Sequence, residues 1–224
     1  VGHMPCNPAV GGLGKSQIVR EIDALGGWIG RLADKTGIQF RILNRKKGPA
    51  VWSLRTQNDK ALYRQEALSL VSKQEHLDLI QEEITDVLLD KGRCFGVKTY
   101  MGEEIRARTV VITPGTFLNG LIHVGLQSRA AGRMGELPSV GLSSSLAKAG
   151  LRIGRLKTGT PGRIDNRTID YTNLEEQPGD KEHGFFSYWQ TPGELLPQVS
   201  CYMTYTNEKT HDIIRSGLDR SPLY

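Results

Sequence analysis

The sequence has no long apolar run. Of its 224 residues 38% are hydrophobic and 24% are charged, and no stretch approaches the roughly 18 consecutive apolar residues that a membrane helix needs. Residues 1–6 lack a basic segment followed by an apolar one, so they do not resemble a secretory signal peptide, nor do they look like a natural start. The composition is that of a globular protein, and the length predicts one or two domains.

Cysteine is scarce. Cys6, Cys94 and Cys201 are odd in number and far apart, which argues against a disulfide framework and predicts a reducing, cytoplasmic location. The five histidines show no metal-ligand spacing with one another or with the cysteines, so we predict no metal site. The aromatic residues are scattered, without the spacing of a stacking platform for single-stranded RNA.

The dinucleotide fingerprint Gly-x-Gly-x-x-Gly is also absent. A flavin or nicotinamide domain normally begins with this turn, because the pyrophosphate binds at the helix N-terminus that follows it. Either this is not such a domain, or its first strand, turn and helix lie outside these residues.

Positive charge is present in modest excess and is concentrated early in the chain. The net charge is +5, and residues 1–60 hold ten basic residues against four acidic ones. This excess suits a polyanionic partner such as RNA, but a solvated basic surface would have the same composition.

Apolar periodicity and Gly/Pro breaks predict mixed α/β structure. The first helix should begin at about Ser16 and the last near Asn207, with others between them at residues 28–35, 57–73 and 142–148. The residues predicted to face inward on the first and third helices are Ile18, Val19, Ile22, Leu25, Leu62, Leu68 and Val71. Strands are predicted at residues 77–80, 84–89, 94–100, 105–112, 151–156, 185–189 and 199–206.

The clearest pattern is a β-meander over residues 84–112. Glycines at Gly92 and Gly102 allow tight turns between its strands. Its last, buried-looking run, residues 109–112, leads at once into Thr113-Pro114-Gly115-Thr116. Because open α/β sheets bind ligands at the carboxyl ends of their strands, this turn is a candidate ligand site.

The segment Ala9 to Ser16 resembles a relaxed phosphate loop, with Ala9 where the first glycine usually stands. A true phosphate loop follows a buried strand, and two prolines just before this segment argue against one. Nor does an acidic residue at the end of an apolar strand offer itself as a magnesium ligand. The glycine loop at a helix start could still hold an anion or a cofactor through its amides.

Cys6 lies in a Pro-Cys-Asn-Pro loop before the first predicted helix. Amides and a positive helix end there would favour a reactive thiolate, although a small buried apolar residue is the simpler interpretation. Cys94 and Cys201 are predicted to be structural.

Seven segments together identify a resemblance to the MnmG/GidA family of enzymes that modify the wobble uridine of transfer RNA. They run in family order along essentially the full chain, and their combination is specific although each alone is weak. The segments are PCNPAVGGLGK (5–15), EIDALGG (21–27), GIQFRILN (37–44), KGPAV (47–51), GRLKTGTP (154–161), TNEKTHD (206–212) and LDRSP (218–222).

The resemblance implies a homodimeric, cytoplasmic FAD enzyme with a glutathione-reductase-like Rossmann domain. It also implies methylenetetrahydrofolate and NADH as co-substrates, tRNA as substrate, and a GTPase partner of the MnmE type. Ammonium or glycine would supply the nitrogen of the aminomethyl or carboxymethylaminomethyl group added at the five-position of the base. Residues 1–160 would form a partial FAD-binding domain that includes the β-meander. Residues 161–224 would form part of an inserted α+β domain.

Several site residues follow from the resemblance. Ile84 and Ser139 match positions that contact FAD in the family, and the backbone of Ile84 could bind the adenine edge. Three further residue groups are looser assignments: Asn7, Thr113, Gly115 and Thr116 near the flavin, Cys6 as a catalytic candidate, and Arg41, Arg45, Lys46 and Lys47 on RNA phosphates.

The departures from the family pattern are equally informative. The family's glycine fingerprint would precede Val1, and its Gly-Pro-x-Tyr-Cys-Pro-Ser motif, which carries the favoured catalytic cysteine, would follow Tyr224. We therefore expect a fragment, inactive alone, with the main catalytic thiol outside these residues.

Three rival hypotheses remain at this point. The chain could be a basic binding module without chemistry, which stoichiometric FAD in the purified protein would contradict. It could be a phosphate-loop protein, which the absence of thermal protection by nucleotides would contradict. A flavin oxidoreductase acting on small molecules would explain the 109–116 run but not the other segments.

Overall fold

The computed structural model describes residues 1–189 and 193–221, so that Pro222 of the LDRSP segment and the end of the predicted 161–224 domain lie outside it. The described residues form a mixed α/β fold, as predicted. The helices are α1 Ser16–Ala24, α2 Ile29–Lys35, α3 Lys60–Ser72, α4 Leu142–Lys148 and α5 Glu208–Arg215. The strands are β1 Ala9–Gly11, β2 Gly37–Leu43, β3 Ser53–Asn58, β4 Ile84–Asp90, β5 Arg93–Thr99, β6 Glu104–Arg106, β7 Leu121–Val124, β8 Gln127–Ala130, β9 Glu175–Gln177 and β10 Cys201–Met203.

The chain forms two compact units. The first unit comprises residues 1–78 and 159–214, and the second comprises residues 79–158 and 215–224. The chain thus re-enters the first unit at Gly159, close to the domain change predicted near residue 160. The assignment of the two predicted domains stays a prediction.

The first unit is built on an antiparallel sheet in the order β1-β3-β2. Helices α1, α2 and α3 pack with this sheet around a core of buried apolar side chains. The core residues are Val10, Val19, Leu32, Ala33, Leu54, Tyr63, Ala67 and Phe186. β2 and β3 were not predicted, because Gly37 looks like a chain break whereas it is the first residue of β2.

The predicted inward faces of two helices are partly wrong. Of the residues predicted to face inward on α1 only Val19 is buried, while Ile18 and the following Leu25 are 55% and 90% exposed. On α3 the buried residues are Tyr63 and Ala67, and Leu68 is exposed. α1 packs on β1 and β3 and α3 packs on α2, and each of these contacts buries fewer residues than the apolar pattern of the helix predicts.

Residues 185–189 were predicted to be a strand, and this is wrong. The carboxylate of Asp34 accepts hydrogen bonds from the backbone N–H groups of Phe186 and Ser187 at 2.9 and 2.8 Å. Asp23 accepts one from the N–H of Tyr188 at 2.8 Å. Two helix carboxylates therefore take the donors that a neighbouring strand would otherwise satisfy.

The second unit contains the predicted β-meander. Strands β4, β5 and β6 form an antiparallel sheet in sequence order, and α4, which has the predicted bounds, packs against β4. The hydroxyl of Ser145 on this helix accepts a hydrogen bond from the N–H of Val87 at 3.0 Å. A second hairpin, β7-β8, follows in the same unit.

Two predicted strands, residues 77–80 and 151–156, have no counterpart in the structure, and the predicted 105–112 strand ends at Arg106. Val111, expected to be buried, is 85% exposed. An apolar β-branched run forms a buried strand of a sheet only when neighbouring strands pair with it. No strand of the described residues pairs with residues 109–112.

Helices in the described part of the chain are short, the longest being α3 with 13 residues. None of them has both the length and the apolar character needed to cross a membrane.

Candidate functional site

Ile84 and Ser139 lie next to each other in the second unit. Glu83, directly before Ile84, accepts a hydrogen bond through its carboxylate from the N–H of Val140, directly after Ser139, at 3.1 Å. The backbone of Ser139 donates to the carbonyl of Phe117 and accepts from the N–H of Asn119, both at 2.9 Å. The structure thus brings together two residues that are far apart in the sequence and that the resemblance assigns to one cofactor.

The turn at residues 113–116 joins the same place. The N–H of Phe117 donates to the carbonyl of Pro114 at 3.3 Å, which closes the turn, and Phe117 in turn pairs with Ser139. Gly115 has φ +58°, and no atom lies within 4 Å of the position that a Cβ would occupy there. We call Ile84, Ser139 and residues 113–116 the cofactor edge, after the cofactor that the resemblance predicts for them.

Polar groups at the cofactor edge differ in how available they are. The hydroxyl of Thr116 donates to the carbonyl of Gly132 at 2.8 Å and is therefore engaged. The half-buried hydroxyl of Ser139 makes no hydrogen bond within the described residues, and Thr113 and Gly115 are exposed. Arg155 from the GRLKTGTP segment lies nearby, with its guanidinium 3.4 Å from the carbonyl of Asn119, and supplies positive charge.

Cys6 and Asn7 lie in the first unit. The half-buried thiol of Cys6 donates to the carbonyl of Gly159 at 3.3 Å, and Arg163 donates to the carbonyl of Pro5 at 3.5 Å. The carbonyl of Asn7 accepts from the N–H of Ala9 at 2.8 Å. Two segments that carry the family resemblance, 5–15 and 154–161, therefore meet at Cys6.

The glycine loop before α1 does not have the setting of a phosphate loop. β1 is a three-residue edge strand that pairs antiparallel with β3, not a central parallel strand. The hydroxyl of Ser16, which would bind magnesium in a phosphate loop, is buried and 2.7 Å from the hydroxyl of Ser53. This environment leaves no role for Ser16 as a metal ligand.

The four basic residues proposed for RNA phosphates are not equivalent. Arg41 donates to the side-chain oxygen of Gln177 at 3.2 Å, and Arg45 contacts the carboxylate of Asp180 at 3.6 Å and the carbonyl of Glu182. Lys46 and Lys47 are exposed and have no partner within the described residues. The two lysines are free to contact an anion, whereas the two arginines are bound to residues 177–182.

Sequence reasoning missed two surface features. A cavity of about 200 Å³ in the first unit is lined by polar, aromatic and aliphatic side chains, among them Gln17, Arg20, Trp52, His183, Ile42 and Leu54. An open cleft of about 710 Å³ in the second unit is lined by Arg93, Arg106 and Arg108 together with Asp90. In the cavity, Trp52 and His183 come from distant segments, so residue spacing gave no signal.

No group of three or more His, Cys, Asp or Glu side chains in residues 1–189 and 193–221 is arranged to hold a metal ion.

The chain is similar in sequence to known proteins over its full length. Residues 1–224 match the family model described as glucose inhibited division protein A. Two relatives, both called "tRNA uridine 5-carboxymethylaminomethyl modification enzyme MnmG", match all 224 residues. The protein of Thermodesulfovibrio yellowstonii is 54% identical, and that of Geobacter sulfurreducens is 55% identical.

A solved structure agrees with the sequence matches. The crystal structure of Aquifex aeolicus GidA, in its form II crystal, superposes on the whole chain with a TM-score of 0.91 and 45% identity, over 38% of the GidA chain. The present chain spans 36% of the length of the two curated relatives. Because the family model covers every residue, this chain belongs to the glucose inhibited division protein A family.

Proposed function

We propose that this chain is part of an FAD-dependent enzyme that modifies the wobble uridine of tRNA. The observation that carries the proposal is the 54–55% identity, over all 224 residues, to proteins called tRNA uridine 5-carboxymethylaminomethyl modification enzymes. Identity at that level over a whole chain leaves little room for a different fold, and the TM-score of 0.91 to GidA supports the same reading.

The cofactor edge suits one part of FAD. The open space at Gly115, the free hydroxyl of Ser139 and the exposure of Thr113, Gly115 and Thr116 would let a ligand approach the main chain closely. Ile84 and Ser139 would hold the adenine half, and the turn would approach the flavin. Asn7, in the first unit, stays a separate prediction for the flavin.

The remaining chemistry is divided between cofactors and side chains. Bound FAD would supply hydride transfer, with NADH and methylenetetrahydrofolate as co-substrates and a MnmE-type GTPase as partner. Among the residues of this chain, Cys6 is our candidate for a catalytic thiol, and its contact with Gly159 would orient the sulfur. We also propose a homodimer in the cytoplasm, with Lys46 and Lys47 on tRNA phosphates and Arg41 and Arg45 as supports.

A segment exchange tests the proposal directly. The matching 224 residues of the Geobacter sulfurreducens relative are replaced by this chain, and the chimera is expressed in bacteria that lack their own MnmG. We expect the purified chimera to carry FAD, and mass spectrometry of tRNA nucleosides to show the modified wobble uridine restored.

Two variants of the chimera sharpen the result. Cys6→Ser should keep FAD but lose modification, whereas the matched change Cys94→Ser, in the meander, should keep both. A chimera that folds yet binds no FAD, or that restores no modified nucleoside, would contradict the proposal.

A further inference from the structure

The cavity of about 200 Å³ in the first unit has a size that limits its ligand. Sites for drug-sized molecules enclose about 300–1,000 Å³, so this one suits a single ring and not a dinucleotide such as FAD. It lies between the start of α1, the turn before β3 and the segment after Asp180. The proposed cofactor edge does not include any of its lining residues.

Trp52 offers the cavity a fixed aromatic surface. Its side chain is 44% exposed, yet its indole Nε1 donates to the carbonyl of Arg45 at 3.2 Å. A surface tryptophan that is held in this way loses little conformational entropy when a flat ring stacks on it. Exposed tryptophans of this kind serve as stacking platforms for nucleobases.

His183 contributes a hydrogen-bond acceptor. Its ring stacks on Phe40 with centroids 4.2 Å apart, and its Nδ1 lies 2.6 Å from the carbonyl of Gly184. A carbonyl only accepts, so Nδ1 carries the proton, and in the neutral ring Nε2 is left as the acceptor.

Arg20 and Gln17 add complementary donors and a further acceptor. Arg20 spends one N–H on the carbonyl of Phe185 at 2.8 Å and another on the hydroxyl of Tyr188 at 3.4 Å, which leaves three of its five donors. The exposed amide of Gln17 accepts one hydrogen bond from the hydroxyl of Ser16 at 3.2 Å, and its two N–H donors and the second lone pair of its oxygen remain. A flat ring whose edge alternates donors and acceptors, as a nucleobase does, matches this lining.

The surroundings of the cavity are suited to a nucleic acid chain. Residues 45–47 form a basic stretch that adjoins the cavity. The carbonyl of Arg45 accepts from the indole of Trp52, and its guanidinium donates to the carbonyl of Glu182, next to His183. Lys46 and Lys47, which follow directly, are exposed and unpaired within the described residues. Free cations beside a stacking surface fit the phosphates that flank a base.

We propose that the cavity between Trp52 and His183 takes one unpaired nucleobase of an RNA substrate, while Lys46 and Lys47 contact the neighbouring phosphates. The base must be unpaired, because a paired base exposes neither its face nor its Watson–Crick edge. This inference rests on the proposed function, since it takes RNA as the substrate, and it adds a base-binding site to it.

Two oligomers of equal charge test the inference on the full chain. Fluorescence anisotropy would compare binding of octauridylate with binding of an octamer of abasic ribose phosphates. We expect the unmodified protein to bind octauridylate about 10-fold more tightly, as one stacked base allows. Trp52→Ala should bind both oligomers equally, and Trp52→Phe, which keeps a ring, should retain part of the preference.

The control variant is Val51→Ala, which changes an exposed apolar neighbour that does not line the cavity and should leave the preference intact. Equal binding of both oligomers by the unmodified protein would overturn the base site but leave the proposed function standing. Absence of any RNA binding would overturn both. Uridine monophosphate that binds as tightly as the octamer would overturn the assignment to RNA in favour of a free nucleotide.

Discussion

Asp34 is a buried acidic residue, and burial disfavours the charged form of its carboxyl group. It is almost fully buried, and removal from water raises the pKa of its carboxyl group to about 6, against the pull of hydrogen bonds from Phe186 and Ser187. The nearby charge of Asp23 acts in the same direction as burial, and that of Arg20 opposes it. Asp34 therefore titrates close to neutral pH in the folded protein.

The raised pKa of Asp34 predicts a pH dependence of stability. Its pKa in the folded protein lies above the ordinary value of 3.8, so the folded state holds the proton more tightly and its stabilisation is full only below about pH 4. As pH rises from 4 through 6, the free energy of unfolding should fall, by about 3 kcal/mol for this group.

The measurement is urea unfolding at pH 4, 5, 6 and 7, with Asp34→Asn as a reference that cannot titrate. The difference in unfolding free energy between the unmodified protein and this variant should shrink or reverse as pH rises. A constant difference across the range would show that Asp34 has an ordinary pKa.

Phe186 is one of the large aromatic side chains that fill the core of the first unit. It is fully buried, and a Cβ at Gly11 would lie 2.5 Å from its ring, so no larger residue fits beside it. Phe186→Ala should lower the free energy of unfolding by about 3–5 kcal/mol, because a large cavity would replace the ring. Tyr205→Ala, which removes an exposed aromatic side chain of the same unit, should change it by less than about 0.5 kcal/mol in the same urea titration.

At the scale of elements, the sequence predicted best where local signals and pairing coincide. The β4-β5 hairpin has turn residues, β-branched residues and a partner adjacent in sequence, and α4 has an apolar stripe ended by Gly150. The prediction was wrong where the pairing partner follows a loop or where the described residues contain no partner strand. β2 pairs with β3 across residues 44–52, and no strand in the described part of the chain lies beside residues 109–112.

Gly96 shows why the meander needs a glycine inside a strand. A Cβ there would lie 2.3 Å from the carbonyl oxygen of Ile105 on β6, and a backbone atom in a sheet cannot move aside easily. Gly96→Ala should destabilise the second unit by about 1–3 kcal/mol, as overpacking does. Hydrogen exchange of β4 and β5 amides should accelerate accordingly.

Gly154→Ala is the matched control for this change. Gly154 lies in the same unit, with no atom within 4 Å of its Cβ position, and it does not need a positive φ. Its exchange pattern should match the unmodified protein. Equal protection of β4 and β5 in both variants would mean that the sheet can widen at Gly96.

The candidate site was predictable in part. Ile84, Ser139 and the 113–116 turn came from resemblance and from strand-end geometry, and the structure brings them together. The sequence could not predict that Trp52 and His183 lie close together, because this depends on the return of the chain to the first unit at Gly159. Likewise, sequence could not separate Lys46 and Lys47 from the engaged Arg41 and Arg45.

For the whole molecule, a net charge of +5 matters less than the location of the free cations. Changing Lys46 and Lys47 together to glutamine should weaken RNA binding and reduce the slope of log affinity against log salt by about 1.4, since each lost phosphate contact removes about 0.7 for single strands. Lys91 and Lys148, also exposed, lie in the second unit and carry the same charge.

The double change of Lys91 and Lys148 to glutamine therefore serves as the control, and titrations of octauridylate at several salt concentrations give both slopes. Equal slopes for the two double variants would show that the affinity for RNA depends on the overall charge of the protein and not on residues 45–47.

The hydrogen bonds between Asp34 and the Phe186 segment also have a consequence for the timing of synthesis. Asp34 and Phe186 are separated by 152 residues, so a ribosome that adds 5–20 residues per second delivers the aromatic ring roughly 8–30 s after the carboxylate. Throughout that interval the core of the nascent first unit lacks the Phe186 ring. The carboxylates of Asp34 and Asp23 also lack the backbone N–H groups that bind them in the folded protein. Chaperone capture should therefore peak before residue 186 emerges and decline once it has passed the exit tunnel.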